Sequence, residues 1–158
     1  MISRPTLGAL ASMLIILGLN GCDSGKASAP YDPEKVVETM TYLDHQAYVI
    51  WGNSGSEWDA EGERELFPTS DEGWKELETA AVELVSIGES LSKLVNLDDP
   101  RADAWIAYSE GISEVSQKLI TAAAEQDKVA TFDQGGVLYQ VCTACHGTFP
   151  SALEENRP

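Results

Sequence analysis

Residues 69–95 read TSDEGWKELETAAVELVSIGESLSKLV, and their apolar positions fall at Trp74, Leu77, Ala81, Leu84, Gly88, Leu91 and Val95. Steps of three and four alternate through three heptads, which is the spacing that keeps side chains on one stripe of an α-helix. Thr69 and Glu72 in front of the stripe match a capping box, so the spacing predicts a helix that starts there. The same alternation recurs on both sides. Asp32 as N-cap and Pro33 in the first turn open a predicted helix with Val36, Met40, Leu43, Ala47 and Ile50 on its seam. Asp99 and Pro100 repeat that start before Trp105, Tyr108, Ile112, Val115, Leu119 and Ala122. Thr131 and Gln134 form a further capping box before a fourth helix, which carries Phe132, Leu138, Tyr139 and Val141 up to the last two cysteines. Successive helices with a period near 3.5 predict an all-α fold, an antiparallel up-down-up-down four-helix bundle packed at shallow angles. The long connection from Gly52 to Ser70 holds Glu57, Asp59, Glu61, Glu63 and Glu65 against Arg64 alone, and reads as a solvated crossover. Gly135 and Gly136 weaken the fourth helix and point either to a late start or to close backbone approach.

Near the end of that fourth helix stands Cys142-Thr143-Ala144-Cys145-His146, the c-type haem attachment pattern C-x-x-C-H. On a helix, positions i, i+3 and i+4 share a face. Two thiols so placed can meet the two haem vinyl groups as thioethers while the imidazole faces the iron, which makes His146 the proximal axial ligand. A thioredoxin-like redox pair is expected beside a βαβ pattern, and the chain shows none. Zinc would need four ligands from a chain with one further histidine, His45, and no second C-x-x-C. A bare disulfide leaves the adjacent histidine without a role.

The amino terminus supports export. Met1 to Gly21 carries Arg4 and then an apolar run from Leu7 to Leu19, the layout of a secretory signal and too short to span a membrane. Leu19-Asn20-Gly21-Cys22 resembles the lipobox of bacterial lipoproteins, so residues 1–21 are expected to be removed and Cys22 lipidated. Two of the three cysteines belong to the haem motif, which leaves Cys22 as an odd exported thiol in need of this fate. Residues 22–31 read as the lipidated terminus and a flexible tether, of which Asp23 to Pro30 would reach under roughly 30 Å, and residues 32–158 as the haem domain. Asp23 resembles an inner-membrane retention signal, giving a periplasmic, membrane-anchored address.

The formal charge is −16, and removal of the signal makes it one unit more negative, because only Arg4 leaves with it. Such acidity disfavours nucleic acid and favours redox protein partners with basic docking surfaces. No Ser-His-acid order, H-E-x-x-H or phosphate-binding glycine loop is present, so the reading is a non-enzymatic electron carrier.

With Trp105, Leu119-Ile120-Thr121-Ala122-Ala123-Ala124, Asp127, Gly136 and the C-x-x-C-H motif in this order, the chain resembles the cytochrome c′ and cytochrome c-556 family. The resemblance implies an exported four-helix bundle with one covalent haem c. The proximal histidine would stand on the last helix and the opposite haem face would be lined by the first. Members are often dimeric through that first helix, which adds a second copy of the chain to the expected partners. Where members commonly carry a basic residue after the motif, Gly147-Thr148-Phe149-Pro150 is expected to end the helix.

The sixth iron position separates functions, because a second strong ligand suits electron transfer and an open or apolar face suits nitric oxide or carbon monoxide binding. At 100° per residue from Val36, Met40 falls at about 40° and His45 at about 180°. Met40 is therefore the candidate sixth ligand by placement, and His45 by donor chemistry alone. Leu43 could instead cap the iron and leave it five-coordinate. A haemless lipoprotein that uses its bundle to bind partners and its C-x-x-C as a disulfide is the reading outside haem chemistry.

Overall fold

The computed structural model describes residues 31–150. The expected signal segment, Cys22, Asp23 and most of the expected tether lie outside them. Four helices follow one another as α1 (Pro33–Gly52), α2 (Asp71–Leu91), α3 (Ala102–Ala124) and α4 (Lys128–Thr148). Between the first two stands an antiparallel hairpin of β1 (Ser56–Asp59) and β2 (Gly62–Glu65). The fold is thus an all-α bundle with a small two-stranded sheet. Among the described residues, no helix is long and apolar enough to cross a membrane.

The seams explain the packing. Val36, Leu43, Ala47 and Ile50 of α1 are buried and Met40 is half-buried. On α2 every predicted seam position from Trp74 to Leu91 is buried, and Ala80 and Ile87 widen the stripe. Trp105, Ile112, Val115, Leu119 and Ala122 of α3 join this core, with Tyr108 at its edge. Consecutive helices pack along one another, whereas α1 and α4 approach far more sparingly. At one end of the bundle Tyr31 stacks on Trp105 with ring centroids 4.3 Å apart, and Phe149 meets Trp105 edge-on at 5.3 Å. The Trp105 Nε1–H donates to Leu91 O at 2.8 Å, satisfying a carbonyl that the end of α2 would otherwise leave open.

Helix starts depart from the sequence reading in three places. Asp32 does cap α1, its Oδ1 accepting from Lys35 N at 3.3 Å. At α2 the cap is Ser70 rather than Thr69, with Ser70 Oγ accepting from Gly73 N at 3.2 Å. That shift puts Gly73 where a capping box needs Glu72, so the acids of the first turn act through the helix dipole alone. At α3 Asp99 is no cap. Its carboxylate accepts from the backbone N of Arg101 at 2.8 Å and from the guanidinium at 3.1 Å, and the helix begins only at Ala102. The same guanidinium holds the Asp99 carboxyl below its usual range.

The largest shift is at α4, which starts at Lys128 with Asp127 as cap, its Oδ1 accepting from Ala130 N at 3.0 Å. Gln126, at φ +53°, makes the tight turn out of α3. Thr131 consequently lies inside the helix, fully buried, with no hydrogen-bond partner for its Oγ1 among the described residues. Phe132 and Tyr139 are exposed, because the seam running through Leu138 places them about 100–120° round the helix. Asp127→Ala is expected to lower stability by about 1 kcal/mol, whereas Thr131→Val should cost nothing or stabilise, as measured by urea midpoints.

The acidic connection is also more ordered than a crossover. Glu57 pairs with Arg64 across the hairpin, and Glu65 pairs with Lys128 of α4. No residue of β1 is buried, and Trp58 is 75 % exposed.

Candidate functional site

Thr131, Gly135, Leu138, Cys142, Cys145 and Phe149 step along α4 by four and three, so the two cysteines continue the inward seam of their helix. Cys145 is buried, Cys142 is half-buried, and both are free thiols. Burial pushes each thiol up to about 11. The carboxylate of Asp44 on α1 adds to the shift at Cys142, and Cys142 adds to that at Cys145. The thiols are therefore protonated at neutral pH. This is the opposite of the lowered pKa that makes a C-x-x-C pair a redox catalyst. His146 follows on the exposed side, in the last turn of α4 where the helix dipole favours a cation. Phe149, buried at the C-cap, folds the chain back onto Trp105 and closes the end of the helix, as the Gly147 to Pro150 segment predicted.

The contact of Trp51 with Gly135 marks the flank of α1 that looks toward α4. Met40, Asp44, Ala47 and Trp51 step by four, three and four along that flank. Trp51 reaches α4 directly: its Nε1–H donates to Gly135 O at 3.1 Å, and its ring meets Tyr139 edge-on at 6.0 Å. Met40 lies one turn before Asp44, partly covered by the core. Met40 thus shares the flank of α1 that carries Trp51, the residue that reaches α4. His45 goes elsewhere. It is exposed and lines a shallow groove between α1 and α2, among Glu72, Lys75, Glu76 and Thr79.

Two residues of this site were not singled out by sequence. Asp44 carries no chemical motif, and only its spacing of four from Met40 places it. Trp51 was beyond the last predicted seam residue of α1, although Gly135 had signalled that some backbone approached α4 closely. That partner is the end of α1: a Cβ at Gly135 would stand 2.9 Å from Ser54 Oγ and 3.8 Å from Ile50 Cγ2. Gly136 has nothing within 4 Å and belongs to no contact.

The candidate donors do not gather round a bare ion. Among the described residues no group of three or more His, Cys, Asp or Glu side chains is placed to hold a metal. Cys142, Cys145 and His146 lie within little more than one turn near the end of α4, the two thiols on its inward seam and the imidazole on its exposed side. Tyr48, Phe132 and Tyr139 are exposed apolar side chains on α1 and α4. No family model matches this chain, and no curated protein or solved structure matches it. The resemblance drawn above therefore rests on the residues quoted for it.

Proposed function

We propose that this chain is an exported monohaem c-type cytochrome of the cytochrome c′ and c-556 kind, carrying one electron at a time between redox partners. Cys142 and Cys145 would hold the haem covalently, His146 would be the proximal ligand and Met40 the sixth. Haem c supplies the one-electron couple of its iron. The observation that carries the reading is the C-x-x-C-H motif whose two cysteines lie on the inward seam of α4, with Met40 on the flank of α1 that carries Trp51 toward that helix. In this reading the four helices run up-down-up-down. Support comes from contacts whose numbers run in opposite senses: Tyr31 with Val95 and Tyr42 with Glu83, Leu91 with Trp105 and Val85 with Ser113, Tyr108 with Thr148 and Gly111 with Val141.

Within that arrangement the protein's part is positional. The buried seams of α2 and α3 give α1 and α4 a rigid backing, so a change of iron charge would require little movement of the ligands. Gly135 stands opposite Ser54 and Ile50, and Trp51 meets Gly135 and Tyr139, so residue numbers on the two sides add to about 185–190 where they meet. By the same sum Met40 would stand level with residues 145–150, which include His146. Lipidation at Cys22 would hold the domain at the periplasmic face of a membrane, inner by the Asp23 signal. Net charge of −16 would draw basic redox partners to it electrostatically.

Apolar Leu43 and Ala47 beside Met40 support a second reading, a five-coordinate binder of nitric oxide or carbon monoxide. Optical and electron paramagnetic resonance spectra separate the two. A low-spin ferric spectrum that turns high-spin in Met40→Ala and survives in His45→Ala is the result expected for the electron carrier. A high-spin spectrum in the wild type, unchanged in both variants, would shift the function to gas binding.

A further inference from the structure

α1 and α4 are the one pair of sequence-distant helices that the proposed haem site needs held at a fixed spacing, and their approach is confined to few residues. At the carboxyl end of α1, Trp51 Nε1–H donates to Gly135 O at 3.1 Å. A carbonyl inside a helix keeps a second lone pair after its i+4 bond, so it can accept this extra donor. Glycine is what allows the end of α1 and the residues after it so near. A side chain at 135 would enter the space of Ser54, which is itself buried, and then of Ile50. The Trp51 ring is braced from both sides, edge-on to Tyr48 at 6.1 Å and to Tyr139 at 6.0 Å. At the far end Tyr31 meets Phe149 at 6.4 Å. Met40 lies between these two anchor points, eleven residues or about 16 Å along the helix from Trp51.

We propose that Trp51 and Gly135 are positioning residues that set the separation of α1 from α4 and so hold Met40 at the iron. The inference rests on the haem reading. Neither residue touches the haem in this account; a helix is stiff over three turns, so displacement at Trp51 is passed to Met40.

The test uses the full-length holoprotein with Gly135→Val, Gly136→Val and Trp51→Phe. Both valines carry the same helix-propensity change, but only the one at 135 meets α1. Haem content is measured for every protein, then carbon monoxide association with the ferrous form by flash photolysis, then amide exchange of residues 47–52. Gly135→Val is expected to speed association by about tenfold and Trp51→Phe by about threefold, with faster exchange in both and Gly136→Val within about twofold of wild type. Equal effects of the two valines, or wild-type rates in Trp51→Phe, would overturn the proposal. Because Trp51→Phe keeps ring bulk and drops only the donor, it decides the matter even where Gly135→Val does not fold. Wild-type protein without covalent haem would overturn the haem reading instead, and the exchange data would then decide the clasp on their own.

Discussion

Exported protein carrying Cys142→Ala and Cys145→Ala together is expected to retain its helices and to lose all covalent haem. The two thioethers would be the only bonds joining haem to the chain, since His146 coordinates and does not attach it. Alanine is the informative replacement. Serine at 145 would bury a hydroxyl beside Leu138 and Phe149 at a cost of about 1–3 kcal/mol, and misfolding could then pass for lost attachment. Alanine removes only a sulfur, and the surrounding seam from Thr131 to Phe149 still packs on α3. Denaturing electrophoresis followed by haem staining reads the result. Haem that stays with the denatured double variant would show that attachment lies elsewhere. Loss of helical circular dichroism in that variant would show that the thiols are structural.

Gly88→Ala is expected to be the most damaging single methyl in the bundle. A Cβ there would stand 2.3 Å from Ser113 Oγ, 2.6 Å from Ser109 O and 3.0 Å from Ser113 N, and two of those atoms are backbone of α3. Backbone cannot rotate away, so α2 and α3 must separate along an interface that contains Leu84, Leu91, Trp105 and Ile112. Overpacking of this kind costs about 1–3 kcal/mol and here should reach the top of that range, even after the gain of up to about 1 kcal/mol for alanine over glycine in a helix. The thermal midpoint should fall by roughly 10 °C. Gly136→Ala, with open space around it, should instead be neutral or stabilise by up to about 1 kcal/mol. A Gly88→Ala protein as stable as wild type would mean that α2 and α3 are not packed through this glycine.

What was legible in the sequence was what repeats. The seams of α1, α2 and α3 were read residue by residue because an apolar position every three or four residues can satisfy only one face. Caps were less legible, since several polar residues near a helix start compete for one backbone N–H. Thr131 and Gln134 looked like a capping box, yet the true start follows Gln126, a left-handed residue that no glycine announces. Asp99 was drawn off by Arg101 two residues on. The hairpin escaped notice because its residues are exposed on both faces, so no apolar alternation marks its strands.

For the site, the motif and the rotation of Met40 away from His45 were both legible, because each depends on spacing within one helix. Asp44 and Trp51 were not. Their parts depend on which flank of α1 faces α4, and that is settled by tertiary packing. Gly135 stood between these cases: its cost to the helix was visible in sequence, while its partners Trp51 and Ser54 were not.

The most direct measurement is a pyridine haemochrome spectrum, with intact mass, of the wild-type protein exported from a bacterial host that matures c-type cytochromes. The account predicts one haem per chain, joined by two thioethers and resistant to acid extraction. Protein of full yield and helical content that carries no haem in that host would contradict it.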